Sequence, residues 1–252
     1  MHSLLALETS SPVLSVAVKK GAGPILESSF DRGGVTPPVH SEHLIPSIDR
    51  LLKKIRLSLQ DIDAFLMGRG PGSFTGLRIG FAALKGLLEV SHKRKDCYGA
   101  LSLDMIAENA AGHLRDGTSL GAILDARREK IYARFYRIRK GHAAAAGNPE
   151  VVSLEQIVSR LPSEIYLTGD ALARYQAGFE KAAGKKEIHF LPESLWYPKA
   201  STLIEWYEGM KPNLRGKLTS PLQRLKKPAD FLPLYFRLSE AEEKRNNHAR
   251  AG

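Results

Sequence analysis

The stretch GRGPGSFTGLRIG, residues 68–80, joins a brief apolar segment (64–67) to a helix that begins near Phe74. Glycines at such a junction allow backbone N–H groups to approach a phosphate. They also suit a tight turn, whose path Pro71 would constrain. The pattern matches neither GxxxxGK[ST] nor GxGxxG and has no lysine at the phosphate-binding position. Spacing therefore favours the tight turn, with an anion site as the open alternative.

The helix that follows this stretch has a wide apolar surface. At about 100° per residue, its charged residues Arg78, Lys85 and Glu89 fall in one narrow stripe. Its apolar residues cover roughly 200°, against the ~100° that a surface helix needs to meet one core. These residues are Leu77, Ile79, Phe81, Ala83, Leu84, Leu87 and Leu88. The helix is therefore either buried by its own chain or used in part as a subunit contact, and periodicity leaves both open.

Strand-like and helix-like segments alternate on either side of this region. The first half reads as strands 4–7, 13–18 and 25–30, a helix after Ser41, strand 64–67, helix 74–90, a strand near Cys97 and helix 103–111. The second half reads as strands 120–124 and 131–138, helix 154–161, strand 165–167, helix 171–183, strand 188–191 and helix 201–210. This order predicts a duplicated α/β fold. We expect an N-terminal lobe at 1–115, a C-terminal lobe at 116–235 and a charged tail at 236–252.

Composition narrows the class of protein. The chain has 252 residues, is 43% hydrophobic and carries a net charge of +10. Wholesale disorder is excluded by this apolar content, and no segment approaches the ~20 apolar residues that span a membrane. Cys97 is the only cysteine and the start, MHSLLALETSS, lacks a basic n-region. We therefore expect a cytoplasmic protein without disulfides or a signal peptide, and read Cys97 as a core thiol.

The positive charge is concentrated in two segments, 127–140 and 211–228, which each carry a net charge of +6. In the first segment, alternation along a strand puts Lys130, Tyr132, Arg134 and Tyr136 on one face. Basic residues interleaved with tyrosines suit phosphate contact and base stacking in RNA. The alternative interpretation is an exposed strand whose charges prevent it from pairing with a strand of another molecule.

His40 and His43 lie three residues apart with Glu42 between them, so both side chains could face one metal, as in a metalloprotease. A zinc protease needs at least three protein ligands, usually from HExxH on a helix. HSEH does not match that spacing, and no third ligand is suggested nearby. We expect a structural role at the start of a helix and no bound metal.

Four stretches together resemble one known family: LLALETSSPVLSVAV, HSEHLIPSIDRLL, GRGPGSFTGLRIGFAALKGL and LDARREKIYARFY. They are similar to the TsaB family of bacterial proteins in tRNA threonylcarbamoyladenosine biosynthesis. The ending PLYFRLSEAE resembles the family's Pro-x-Tyr-x-Arg stretch. The resemblance is specific over residues 1–136 and weaker from about 140 to 230.

The resemblance implies two ribonuclease-H-like lobes, the fold of the actin, sugar kinase and heat-shock ATPase superfamily. It also implies a non-catalytic subunit that binds and stabilises its TsaD-like catalytic paralogue. That complex, with a TsaE-like ATPase, installs threonylcarbamoyl on N6 of the adenosine next to the anticodon, in tRNAs that read codons starting with A. When the protein is alone, the resemblance implies that it can form a homodimer instead.

The resemblance further implies which residues make these contacts. The family uses the two helices of the first lobe for its partner. The corresponding interface residues here are His43, Ser47, Thr75, Leu77, Gly80, Phe81, Leu84 and Leu88. From the local basicity we expect tRNA contacts at Arg127, Arg128, Arg134, Arg137, Lys226 and Lys227.

Catalytic members of this superfamily bind ATP through glycine-containing turns and an aspartate that holds the metal. The corresponding turns here are 8–12 (ETSSP), 125–129 (DARRE) and 168–170 (TGD). The first two lack glycine, and the first has Glu8 in place of aspartate. We therefore expect no cofactor and no catalysis. The alternative is an ATP-binding enzyme of the same fold, in which Arg127 and Arg128 bind phosphate by charge.

Overall fold

The structure is a computed structural model that describes residues 2–30, 40–91, 95–210, 221–226 and 230–234. The predicted tRNA contact Lys227, most of the second basic segment, most of the Pro-x-Tyr-x-Arg stretch and the tail at 236–252 lie outside these residues. Among the helices that are described, none is both long and apolar enough to cross a bilayer.

The N-terminal half forms one sheet and three helices. Its elements are β1 (Ser3–Glu8), β2 (Leu14–Lys20), β3 (Leu26–Phe30), α1 (His40–Lys54), β4 (Ala64–Gly68), α2 (Phe74–Glu89), β5 (Asp96–Ala100) and α3 (Ser102–Ala111). Strands β1 and β4 read as continuous apolar runs because both of their faces are covered. The helix α1 carries Glu42 in its first turn and Lys53 in its last, which complements the helix dipole.

The following half repeats this plan. Its elements are β6 (Ser119–Asp125), β7 (Ile131–Arg139), β8 (His142–Ala145), β9 (Glu150–Val152), α4 (Leu154–Arg160), β10 (Glu164–Thr168), α5 (Leu172–Ala182), β11 (Glu187–Phe190), α6 (Ala200–Glu208) and β12 (Gln223–Arg224). Strands β8 and β9 were not predicted, because their short alanine-rich and Glu-Val-Val sequences lack a clear alternating pattern.

The two sheets share one topology. The first has the order β3-β2-β1-β4-β5, with β1, β2 and β3 antiparallel and β4 and β5 parallel to β1. The second has the order β8-β7-β6-β10-β11, with the same alternation of antiparallel and parallel pairs. This is the strand order of a ribonuclease-H-like lobe, present twice, and the predicted fold class is confirmed.

The chain returns to the first sheet after completing the second. Helix α6 packs its buried Leu203 and Ile204 against β1, β2 and β4 of the first sheet. Strand β12 then extends this sheet by pairing with β5. The segment 116–235 therefore contributes to both sheets, which helical periodicity alone could not reveal.

Candidate functional site

The glycine-rich stretch packs directly on the turn that follows β1. A Cβ atom added to Gly68, Gly72, Gly76 or Gly80 would lie within 3.0 Å of an atom of Glu8, Thr9 or Ser10. Ser73 caps α2 by accepting a hydrogen bond from the Gly76 amide at 3.2 Å. The glycines thus serve close approach between two parts of the same chain, a role that the tight-turn interpretation did not include. Gly76 and Gly80, on the apolar arc of α2, face this turn.

Glu8 lies at the centre of this contact and is 0% exposed. Its Oε1 accepts a hydrogen bond from the Ser10 amide at 2.5 Å, and its Oε2 accepts one from the Ser102 hydroxyl at 3.1 Å. The Ser10 hydroxyl donates to that of Ser102 at 2.8 Å. Burial raises the pKa of Glu8, although these hydrogen bonds oppose the shift. Both carboxylate oxygens of Glu8 are therefore hydrogen-bonded by the chain's own groups.

The second and third turns bond to each other. The Asp125 amide donates to Oδ1 of Asp170 at 3.0 Å, and the Arg127 amide donates to Oδ1 of Asp125 at 2.8 Å. Residues 127–129 all have left-handed backbone conformations, with φ between 49° and 61°. Burial raises the pKa of Asp170 to about 6, and the neighbouring charge of Asp125 adds to the shift. These two aspartates lie at the carboxyl ends of β6 and β10, where open α/β sheets bind ligands.

The two histidines of HSEH take structural positions. His40 is buried at the start of α1, and burial lowers its pKa. The His43 ring stacks on Phe30 with centroids 4.0 Å apart and planes inclined by 17°. Neither histidine belongs to a group of three metal-ligating side chains within the described residues.

Most of the predicted partner-interface residues lie inside their own lobe. Leu77, Phe81 and Leu84 are at most 3% exposed, and Ser47 and Gly80 are also buried. This places the apolar arc of α2 largely in the core of the chain, one of the two alternatives that periodicity left open. Of the remaining predicted residues, His43 and Leu88 are half-buried and Thr75 is exposed.

The exposed apolar positions of α1 and α2 are different residues, which the sequence interpretation missed. Ile45 of α1 is 50% exposed, and Val90, directly after α2, is 55% exposed. Ala82 and Gly86 of α2 are also exposed, and a Cβ atom on Gly86 would meet nothing within 4 Å. The sequence signal for such exposed positions was an apolar residue that falls among the polar residues on a helical wheel.

The proposed nucleic-acid face of β7 is covered by α3. The Arg134 guanidinium donates to both carboxylate oxygens of Asp104 at 2.6 and 2.8 Å, and the Tyr136 hydroxyl donates to Oδ1 at 2.7 Å. Tyr136 is 3% exposed, and burial raises its pKa well above the ordinary value. Tyr136 therefore has no open ring face for base stacking. The alternation of β7 was predicted correctly, but the side on which a helix packs was not.

The other predicted tRNA-contact residues lie at the two ends of β7 and in the C-terminal segment. Arg127 and Arg128 form the turn before β7, and Arg137 is exposed near its end, where its guanidinium donates to the Gly117 carbonyl at 2.6 Å. Lys226 is exposed, and its amide donates to Asp230 at 2.8 Å. These residues are not brought together with Arg134, which faces the opposite side of β7 from Arg137.

The fold defines the class of protein first: two ribonuclease-H-like lobes in tandem. A solved structure from Pseudomonas aeruginosa, described as an uncharacterized protein with similarity to peptidase YeaZ, superposes with a TM-score of 0.71 at 24% identity. The match covers 94% of this chain and all of that one. A second structure, YeaZ from the same organism, has a TM-score of 0.70 at 24% identity and covers 93% of this chain and all of that one.

Sequence comparison then identifies the family. Residues 25–244 match the family model described as TsaD: tRNA N6-adenosine threonylcarbamoyltransferase, and the chain belongs to this family. The TsaB protein of Haemophilus influenzae is 28% identical over 77% of this chain and 82% of its own length. That of Escherichia coli is 30% identical over 59% of this chain and 64% of its own length. The resemblance to TsaB is confirmed.

Proposed function

We propose that this chain is a non-catalytic subunit of a tRNA threonylcarbamoyladenosine-forming complex, in which it binds and stabilises a TsaD-like catalytic paralogue. A TsaE-like ATPase and the tRNA would join the same assembly. The observation that carries the proposal is the closed turn at Glu8. Its carboxylate is fully buried and hydrogen-bonded by Ser10 and Ser102, so no oxygen is directed to solvent where a nucleotide-bound metal would sit.

The exposed apolar positions on α1 and α2 support a binding surface there. The described part of the chain has three large apolar side chains that are about half exposed, and two of them are Ile45 and Val90. The third, Leu232, lies in the C-terminal segment at 49% exposure. Ile45 lies on α1 and Val90 directly follows α2, the two helices that the family resemblance assigns to the partner contact. Gly86 adds an open position into which a partner side chain fits.

Co-purification with the TsaD-like protein of the same genome tests the proposal. Ile45→Asp and Val90→Asp each place a charge at the contact without altering the core, so we expect about 10- to 30-fold weaker binding. Ala145→Asp is the control, because it adds the same charge at an exposed apolar position on β8 of the second sheet. Unchanged binding by both helix variants would refute the assigned surface.

Nucleotide titration separates this proposal from the ATP-binding alternative. We expect no saturable binding of Mg-ATP by the purified chain at millimolar concentration. Millimolar or tighter binding that Asp170→Asn abolishes would instead favour an enzyme that uses the turns at Asp125 and Asp170.

Gel filtration of the protein alone distinguishes a homodimer from a monomer, and Ile45→Asp should dissociate a homodimer that uses the same surface.

A tRNA contact at the ends of β7 is the electrostatic part of the proposal. Because Arg134 is paired with Asp104, the exposed residues Arg137 and Arg139 are the better choice for testing a tRNA contact of this segment. Their reversal to glutamate in the assembled complex should weaken tRNA binding and reduce the salt dependence of the affinity. Equal tRNA affinity and salt slope for the double variant and the wild type would refute this contact.

A further inference from the structure

The edge of the second sheet brings three metal-ligating side chains to one face. Strands β10 and β11 are parallel, and their register sets Glu164 opposite Glu187 and Tyr166 opposite His189. Glu187 and His189 are two residues apart on β11, so their side chains leave the same face of the sheet. Glu164 joins them from the neighbouring strand, and β11 is the terminal strand of this sheet.

The ligand atoms of these side chains are close together. One carboxylate oxygen from each glutamate and one imidazole nitrogen of His189 lie within 4.8 Å of one another. The Nε2 atom of His189 is 3.5 Å from Oε1 of Glu164. The imidazole stacks on Tyr166, with centroids 4.5 Å apart and planes inclined by 28°, which restrains its orientation on the strand. Both glutamates are exposed, so small rotations of their side chains can reach the ~3.4 Å ligand spacing of a tetrahedral zinc site.

The two glutamates form a like-charge pair without an opposing lysine or arginine. Carboxylates directly opposite each other on paired strands repel. Lys186, next to Glu187 in the chain, directs its ammonium group to the carbonyls of Val158 and Leu161 at 2.6 and 2.8 Å. Within the described residues, no lysine or arginine forms an ion pair with Glu164 or Glu187, and the basic group beside Glu164 is the His189 imidazole, which carries a charge only when protonated. A bound cation would remove this repulsion.

We propose that Glu164, Glu187 and His189 bind a divalent transition-metal ion, with Zn²⁺ as the representative ion. One imidazole and two carboxylates are a ligand set that suits zinc and its neighbours better than Ca²⁺ or Mg²⁺, because those hard ions take oxygen ligands only. Two of the ligands come from the edge strand and one from its neighbour, so the ion crosslinks β11 to β10. The remaining coordination position is open to water.

Titration of the full chain with zinc chloride, followed by isothermal calorimetry, tests the site. We expect His189→Ala to bind one zinc ion fewer than the wild type, and Glu187→Gln to weaken that site by about 10-fold or more. His142→Ala is the matched control, since its imidazole is also exposed but pairs with the single carboxylate of Glu108. That variant should retain the wild-type stoichiometry of this site.

Thermal unfolding provides a readout that a purely structural role would not produce. Zinc should raise the melting temperature of the wild type and of His142→Ala, but not that of His189→Ala, because binding to the native state alone stabilises it. Glu187→Gln should raise the melting temperature of the metal-free protein, since it removes the like-charge pair, while reducing the zinc-dependent increment. Equal zinc stoichiometry and equal zinc-dependent shifts in the wild type and in folded His189→Ala and Glu187→Gln would overturn the proposal.

Discussion

Replacing Gly76 with alanine tests whether the glycine-rich stretch serves packing against the turn after β1. A Cβ atom on Gly76 would lie 2.1 Å from the carbonyl oxygen of Thr9, a backbone atom that cannot rotate away. The substitution gains about 1 kcal/mol of helix propensity, but forcing the turn away from α2 costs ~1–3 kcal/mol or more. Because the obstacle is backbone, we expect the upper end of that range and net destabilisation of about 2 kcal/mol.

Gly86→Ala is the control on the same helix. Its Cβ atom would meet nothing within 4 Å, so only the gain in helix propensity applies. We expect stabilisation by about 0.5–1 kcal/mol. Denaturant unfolding gives both free energies, and the two variants should differ in melting temperature by about 10 °C for a chain of this size. If Gly76→Ala were as stable as Gly86→Ala, the packing role of the stretch would be wrong.

Three further predictions concern buried polar groups. Because burial raises the pKa of Asp170 from 3.8 to about 6, wild-type stability should fall as pH rises through that range. Asp170→Asn should then be more stabilising at pH 8 than at pH 4 by about 2 kcal/mol, less than the full ~3 because the unfolded carboxyl is already partly ionised at pH 4, and urea titrations at both pH values will show this difference. Asp104→Ala leaves the guanidinium of Arg134 bonded to the Gly147 carbonyl but without its counter-charge under α3, and should cost about 3 kcal/mol of unfolding free energy; adding Arg134→Met should recover part of that loss. Burial raises the pKa of the Cys97 thiol to about 12, so a disulfide reagent at pH 8 should label the native protein about 1000-fold more slowly than the unfolded chain.

The order of the elements was predictable, apart from short strands such as β8 and β9, because the longer elements each have a local signal. Fully buried strands such as β1 and β4 are short apolar runs, and α2 has apolar residues at helical spacing. What covers each face was not predictable, since periodicity gives the direction of a side chain but not its neighbour. The arc of α2 that suggested a partner instead faces its own sheet and the turn at Thr9.

The same reason explains why the surroundings of β7 were predicted wrongly from the sequence. Alternation correctly put Arg134 and Tyr136 on one face, and their polar groups suggested solvent or RNA. They are buried because Asp104, 30 residues away from Arg134 in the chain, supplies both hydrogen-bond partners from α3. The acidic residues Asp104 and Glu108 in an otherwise mostly apolar helix were the sequence signal for such a pairing, and they do not say which strand residue each one meets. The edge cluster at His189 was missed because its glutamates are brought together by strand register.

Helix α3 links the polar groups of both sheets. Its first residue, Ser102, bonds to Glu8 of the first sheet, and Asp104 bonds to Arg134 and Tyr136 of the second. The buried carboxylate of Glu8 is thereby joined to the helix that precedes the second sheet. A partner on α1 and α2 would meet a surface whose position relative to the second sheet depends on these bonds. Weaker partner binding by folded Asp104→Asn, which keeps an acceptor for Tyr136 but loses the charge facing Arg134, would show that the partner recognises both lobes together. Undiminished binding would restrict recognition to α1 and α2.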